Sequence, residues 1–421
     1  MTNRKRRQFL AAVSASAVTA TAGCQRSWRS ASQSHPVSEP IGSWPTFRGE
    51  QHNTGYTGGE SGVGAEPTVA WTYEADGPFW GSPAVADGTV FIGSADNALY
   101  AVDAESGEEE WSFSSDHRIE ATPAYADGTV YVGSYDKHLY AVDAETGEER
   151  WSRSFNGLIR GSPTPWNGSI LVGIGCHNLA CAWYADDADV PENGWIYSLD
   201  AASGETEWRV EIGTEVVSTP AVTDGAMYVG ASDGVMYALD PTSGDERWTY
   251  ETRDMIWSSP AVAYGTVFFA DWNGNVHAVD AETGEETWLA DTAGRYISGS
   301  VAVSGDAVYV GHTPYNSLDD PTTNYAKVFR FDRETGEKVW DYETTSLEVG
   351  SSPVVTSDRL YVGSHRQTEG GSSTAGMHAL TLDGEQEWFL DVPGRGVGSS
   401  PALVDGTLYF GGTDSTVYAV E

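Results

Sequence analysis

The three cysteines carry the most reactive side chains of this 421-residue chain, and their surroundings point to two different chemistries. Cys24 ends the run Thr21-Ala22-Gly23-Cys24, which resembles a lipobox, where a cysteine thiol receives a lipid and becomes the mature N-terminus. An unmodified cysteine is the alternative there. Cys176 and Cys181 lie in Cys176-His177-Asn178-Leu179-Ala180-Cys181. In an exported chain this pair is expected to form a small disulfide staple. A metal site from Cys176, His177 and Cys181 has no second ligand pair of matching spacing, and two free thiols are the remaining alternative. Elsewhere no Ser-His-Asp arrangement, phosphate loop or zinc motif stands out.

The residues before Cys24 agree with export. Arg6-Arg7-Gln8-Phe9-Leu10 resembles a twin-arginine signal, and the weakly apolar run that follows, residues 11–23, is too short to span a bilayer, which takes about 20 residues. The expected organisation is a signal peptide at 1–23, a Ser- and Pro-rich flexible tether at 24–43 and a folded domain at 44–421. The expected location is the outer face of the cytoplasmic membrane, with the chain held by a lipid at Cys24.

Charge narrows the partners. With 61 acidic against 23 basic residues the net charge is −38. Residues 1–23 hold four basic groups and no acid, so residues 24–421 carry −42, and the whole chain has only four lysines. Carboxylates repel a phosphate backbone, which argues against nucleic-acid binding. A disordered acidic tail is excluded by 40% hydrophobic and 12% aromatic content, enough for a large core. Acidic, lysine-poor and aromatic-rich composition is that of a protein adapted to molar salt, of haloarchaeal type, where hydrated carboxylates keep the chain soluble. An ordinary acidic secreted protein is the alternative.

The elements that would position any site come from internal repetition. Ala101-Val-Asp-Ala-Glu-Ser-Gly-Glu-Glu-Glu-Trp111 recurs as residues 141–151 and 278–288, and in looser form up to Trp388. Tryptophans stand at 71, 111, 151, 208, 248, 288, 340 and 388, with a basal interval of 40 that suits a four-stranded propeller blade. In each unit the first strand follows a Ser/Thr-Pro pair such as Ser82-Pro83 or Ser259-Pro260, with Ser300-Val301 the exception. Asp-Gly turns lead to strands of period-2 alternation, and no stretch supports a long helix. The Asp-x-x-Ser/Thr-Gly turn precedes six of the eight tryptophans expected to lie flat between blades, Trp111, Trp151, Trp208, Trp248, Trp288 and Trp340, and the other two are Trp71 and Trp388. The first tryptophan strand precedes any Ser/Thr-Pro signal, and the last unit stops before its own tryptophan. The expected fold is therefore all-β, an eight-bladed propeller whose ring closes when the Trp71 strand completes the C-terminal blade.

The Ala-x-Asp-x-x-Thr-Gly-x-x-x-Trp frame resembles the repeat of pyrroloquinoline-quinone-like (PQQ-like) β-propellers. The stretch Trp44-Pro-Thr-Phe-Arg-Gly-Glu-Gln-His-Asn-Thr-Gly55 is similar to the lead-in of that domain. The resemblance covers about residues 44–421 and implies two functional types. One is a non-catalytic lipoprotein of the BamB-like kind; a salt-adapted archaeal-type envelope would offer it no outer membrane to assemble. The other is a PQQ-dependent dehydrogenase of alcohols or sugars, which needs PQQ, Ca²⁺ and an Asp base, and in many relatives adjacent cysteines. This chain has no Cys-Cys pair and short inserts, so the reading leans to the non-enzymatic type with no cofactor.

Function is expected where the repeats diverge. The connections at 173–197, 312–327 and 364–376 lengthen one face of the disc. The residues two before each strand-one Ser/Thr are expected at the channel mouth on that face: Trp80, Glu120, Arg160, Val217, Trp257, Ser298, Gly350 and Gly398. Asp271, Trp272, His312 and His365, from second-strand ends, are expected nearby. Two indoles, an acid and an arginine among small residues suggest a groove for a protein, peptide or glycan on a monomeric propeller.

Overall fold

Short runs of alternating polarity, each closed by a Gly- or Asn-containing turn, can pair only with their neighbours in sequence, and they build one blade after another. The computed structural model describes residues 43–175, 193–293, 296–313, 325–346, 348–366 and 374–421. Among these residues, 32 strands form eight four-stranded antiparallel sheets. The first blade runs outward through Ala84–Ala86, Thr89–Gly93, Ala98–Asp103 and Glu109–Ser114. The eighth consists of Ala402–Val404, Thr407–Gly411 and Thr416–Val420, with Val69–Glu74 as its outer strand. Trp71 stands opposite Ala419 and Tyr73 opposite Val417, so the N-terminal strand closes the ring as expected. The signal, the tether up to residue 42, Cys24, Cys176 and Cys181 lie outside the described residues, as do most of the three long connections.

Blades are joined edge to edge by the tryptophans. Trp71 donates its indole N–H to the Ala104 carbonyl of the next blade at 2.9 Å, and Trp111 does the same to Ala144 at 3.0 Å. Gly107 (φ 74°) lies so close to the Trp71 ring that a Cβ would sit 2.7 Å from it. The turn glycine thus serves both the left-handed backbone and the stacking surface. Trp151, Trp208, Trp248, Trp288 and Trp340 repeat the bond to the following blade. Trp388 is the exception, with its buried Nε1 unpartnered. Its neighbour is the eighth blade, whose outer strand is Val69–Glu74 and not a continuation of Thr416–Val420, so no Asp-x-x-Thr-Gly turn supplies the carbonyl.

The ring is also closed at its centre. The Ser82 amide donates to Thr122 Oγ1, Thr122 to Ser162, Ser162 to Thr219 and Thr219 to Ser259, at 2.9–3.3 Å. Ser259 continues to Ser300, Ser300 to Ser352, Ser352 to Ser400, and Ser400 returns to Ser82, at 2.8–2.9 Å. Each strand-one hydroxyl therefore accepts the amide of the preceding blade. Ser300 takes part although valine follows it, so the hydroxyl and not the proline is the common element.

Below this belt, residues 44–60 cross the channel and cover the inner edges of the first strands. Trp44 pairs with Val85, and the amides of Tyr125, Val222, Val262, Val303 and Val355 donate to the carbonyls of Pro45, Gln51, His52, Thr54 and Gly55. The corresponding residue of the third blade is Pro165, which has no N–H to give. Arg48 is 2% exposed with φ 64°. Its guanidinium donates to the carbonyls of Val301 (2.8 Å), Pro353 (2.7 Å), Thr54 (3.3 Å) and Asn53 (3.4 Å). Burial lowers its pKa to about 9, against the opposing charge of Glu50.

Two substitutions test these ties by guanidinium denaturation. Ser259→Ala leaves the Thr219 amide unpaired and should cost about 1–3 kcal/mol, whereas Ser259→Thr keeps the hydroxyl and should cost less. Trp111→Phe should lose about 1 kcal/mol more than Trp388→Phe, because only Trp111 has an indole hydrogen bond to lose.

Candidate functional site: the channel mouth

The connection into each first strand is extended, so residues i and i+2 share a face. The rim residue two before each belt hydroxyl therefore stands directly over it, facing the channel. Trp80, Glu120, Arg160, Val217, Trp257, Ser298, Gly350 and Gly398 line one cavity of about 160 Å³, together with the belt residues and Phe47. Blades 1 and 5 are opposite in a ring of eight, so Trp80 and Trp257 face each other across the mouth.

A second circle comes from the residues two past each second-strand end glycine or alanine. It includes Ala95, Tyr135, Gly175, Ser232, Trp272, Thr313, His365 and Thr413. Alternation sends the residue before each of these into its blade, and this separates the four second-strand candidates. Trp272 and His365 reach the mouth. Asp271 is fully buried and bonded to Asn275 (2.8 Å) and to His277 Nε2 (3.1 Å). Burial opposes its charge, but His277 and Asn275 outweigh it and hold its pKa below the ordinary value. His312 is 5% exposed and accepts the Lys327 amide; burial lowers its pKa to about 4. Asp271 and His312 thus pack inside blades and do not face a ligand.

One half of the mouth is a single charged chain. Arg118 bonds Glu120 at 3.2 Å, and the Tyr135 hydroxyl donates to Glu120 at 2.6 Å. Arg160 donates through Nε to that hydroxyl at 3.0 Å and through Nη1 to Glu215 at 3.1 Å. Burial opposes the Arg160 charge, but Tyr135 and Glu215 outweigh it and raise its pKa. The guanidinium lies 5.2 Å from the Trp257 ring centroid, and Trp257 is itself fixed by a 3.0 Å bond to Ser232 and a 4.6 Å contact with Trp272. Across the mouth, Arg395 lies 5.3 Å from Trp80, whose ring meets the edge of His365, and His365 Nε2 pairs with Glu348. Tyr135, Glu215 and Arg395 were absent from the sequence candidates. Aligning second-strand ends would have shown Tyr135, because Ala95 and Ser232 hold the same place.

Three buried polar atoms at this mouth lack partners: Trp272 Nε1, His365 Nδ1 and Glu215 Oε2. Thr46 Oγ1, Thr57 Oγ1 and Thr206 Oγ1, away from the mouth, are likewise buried without one. A quinone with Ca²⁺ would need a set of free carboxylate and amide oxygens. Glu120 and Glu215 each bond an arginine, and no group of three or more His, Cys, Asp or Glu among the described residues could hold a metal ion. The described residues do not fit that cofactor.

Comparison with known proteins follows the architecture. Among solved structures, BamB from Moraxella catarrhalis matches with TM-score 0.65 and 19% identity over 85% of this chain and 98% of its own. A quinohemoprotein alcohol dehydrogenase from Comamonas testosteroni matches with TM-score 0.71 and 16% identity over 93% and 81%. The computationally designed Ika8 protein matches with TM-score 0.63 and 16% identity over 82% and 96%. These likenesses establish the fold. No curated protein matches the sequence. The family model described as outer membrane protein assembly factor BamB matches residues 28–165, 190–288 and 272–421. With that match over most of its length, the chain belongs to the BamB family of PQQ-like repeat β-propellers.

Proposed function

We propose that this chain is an exported protein, lipid-anchored at Cys24, that acts as a non-catalytic binding or scaffold module at the outer face of the cytoplasmic membrane. Its ligand is a protein, peptide or glycan held at the channel mouth. The observation that carries this reading is the mouth itself, where Trp80 and Trp257 line an open cavity among small residues while the charged rim groups bond one another. A catalytic acid or base must be free to exchange a proton with substrate. Glu120, Arg160 and Glu215 instead form a rigid frame, suited to recognition. The signal, the anchor and the acidic surface supply the location, and among the described residues no helix is long and apolar enough to cross a membrane.

Two experiments test the reading. Cys24→Ser should release the protein from membranes into the medium, followed by blotting of the two fractions; retention would overturn the anchor. A photo-crosslinker at Ser298, in the mouth, should capture a partner in native membranes. The yield should fall with Trp257→Ala, and a crosslinker at His52 on the covered face should capture none. Stoichiometric PQQ absorbance with dye-linked alcohol or sugar oxidation after reconstitution with Ca²⁺ would overturn the non-catalytic role.

A further inference from the structure

The mouth is not evenly open around its rim. Arg160 of the third blade and Trp257 of the fifth meet at 5.2 Å across the fourth. Trp80 of the first blade reaches back over the eighth in the same way. A Cβ on Gly398 would lie 2.6 Å from its ring, and the ring meets His365 of the seventh blade edge-on at 6.0 Å. A Cβ on Gly350 would in turn lie 3.1 Å from His365 Cε1. The two rim glycines are therefore seats for aromatic rings, not gaps. One bridge spans blades three to five and the other blades seven to one. Of the rim residues, Glu120 of the second blade and Ser298 of the sixth lie outside both, and these blades are opposite in a ring of eight. What remains is a slot across the mouth, with an indole on either side.

Charge separates the groups beside this slot. Glu120 is held by Arg118 and Tyr135, Glu215 by Arg160, and Glu348 by His365. Arg395 differs. Its Nε donates to the Arg366 carbonyl at 2.9 Å, its amide donates to Thr413 Oγ1 at 2.8 Å, and its guanidinium lies 5.3 Å from the Trp80 centroid. Arg366 ties the same two connections from its own side, with Nε to the Gly394 carbonyl and its amide to the Arg395 carbonyl, both at 2.9 Å. Among the described residues no carboxylate pairs with Arg395, and its two Nη nitrogens make no hydrogen bond. A half-buried guanidinium fixed at Nε and laid over an indole has already lost much of its rotamer freedom. It presents a planar pair of N–H groups, the fork that a carboxylate matches with two parallel bonds.

We propose that the slot holds an extended peptide segment of a partner protein, which brings one carboxylate, from a side chain or its own C-terminus, to Arg395 beside Trp80. This rests on the mouth being a ligand site and names the chemistry of its partner. A slot open at both ends lets a chain enter over Glu120 and leave over Ser298, or end at Arg395. A peptide carries its carboxylate on a flexible stem that can reach a guanidinium held at the wall. A neutral glycan would leave that charge unanswered.

The test uses the full-length protein with isotope-labelled tryptophan, followed by NMR at the Trp80 indole N–H, whose signal is assigned by its loss in Trp80→Phe. The probes are acetyl-Pro-Ala-Glu-Ala-Pro-amide, the same peptide with glutamine for glutamate, and the glutamine peptide with a free C-terminus. At least one carboxylate peptide should shift the signal saturably, and the tighter of the two names the source of the carboxylate. The uncharged peptide should bind far more weakly. Arg395→Gln should weaken the carboxylate peptide about tenfold or more, the loss expected for a bond to a charged group, with Arg395→Lys in between. Gly398→Val, which drives Trp80 from its seat, should weaken it as well. Circular dichroism checks that each variant is folded. The proposal is overturned by equal binding of the uncharged peptide, by no saturable shift from either carboxylate peptide, or by unchanged affinity in folded Arg395→Gln. Sodium glucuronate that binds more tightly than both peptides overturns it too, in favour of an acidic glycan. If Trp257→Ala still lowers crosslinking at Ser298 after such a result, the mouth stands as a ligand site and only this partner chemistry falls.

Discussion

A closed circle of amide-to-hydroxyl bonds, one per blade, is the interaction on which this propeller is organised. Each bond ties the entry of one first strand to the next blade, and the circle returns from Ser400 to Ser82 across the chain's own ends. The belt fixes the position of every residue two places earlier, which is the rim. It also fixes the first strands whose inner edges the 44–60 segment covers. Opening one bond would expose a buried amide and loosen two blades at once, and the hydroxyl is present even in the sixth blade, where valine follows it.

From that belt the channel acquires two unlike ends. Below, main-chain pairing with Trp44 to Gly55 satisfies strand edges that would otherwise be open, and Arg48 anchors the crossing. Above, nothing in the described chain meets Trp272 Nε1, His365 Nδ1 or Glu215 Oε2. Side-chain atoms buried without a partner occur on both sides, since Thr46 Oγ1 and Thr57 Oγ1 lie in the covering segment. The acidity of the chain lies elsewhere, much of it in the Asp-x-x-Ser/Thr-Gly turns. There Asp103 and Asp143 accept the amides and hydroxyls of their own loops. Solvated carboxylates on the outside and arginines gathered at the mouth are two separate uses of charge.

The blade count, the closing strand and the rim set could be read from spacing because each depends on a local period repeated along the chain. The second-strand candidates show where that stopped. Asp271 and Trp272 are adjacent, as are His312 and Thr313, and alternation says only that neighbours face opposite ways. Which of them faces the channel depends on how the blade sits in the ring.

The sequence by itself determined the eight units, their docking tryptophans, the offset that closes the circle and the residues over the belt. A strand's two faces and a turn's glycine are encoded within a few residues. Only the tertiary structure decided that Tyr135 and Glu215 meet at Arg160, 25 and 55 positions away, and that Arg48 lies beneath a circle of hydroxyls drawn from every blade. Ring closure brings together residues from separate repeats, and no local period records which of them will touch.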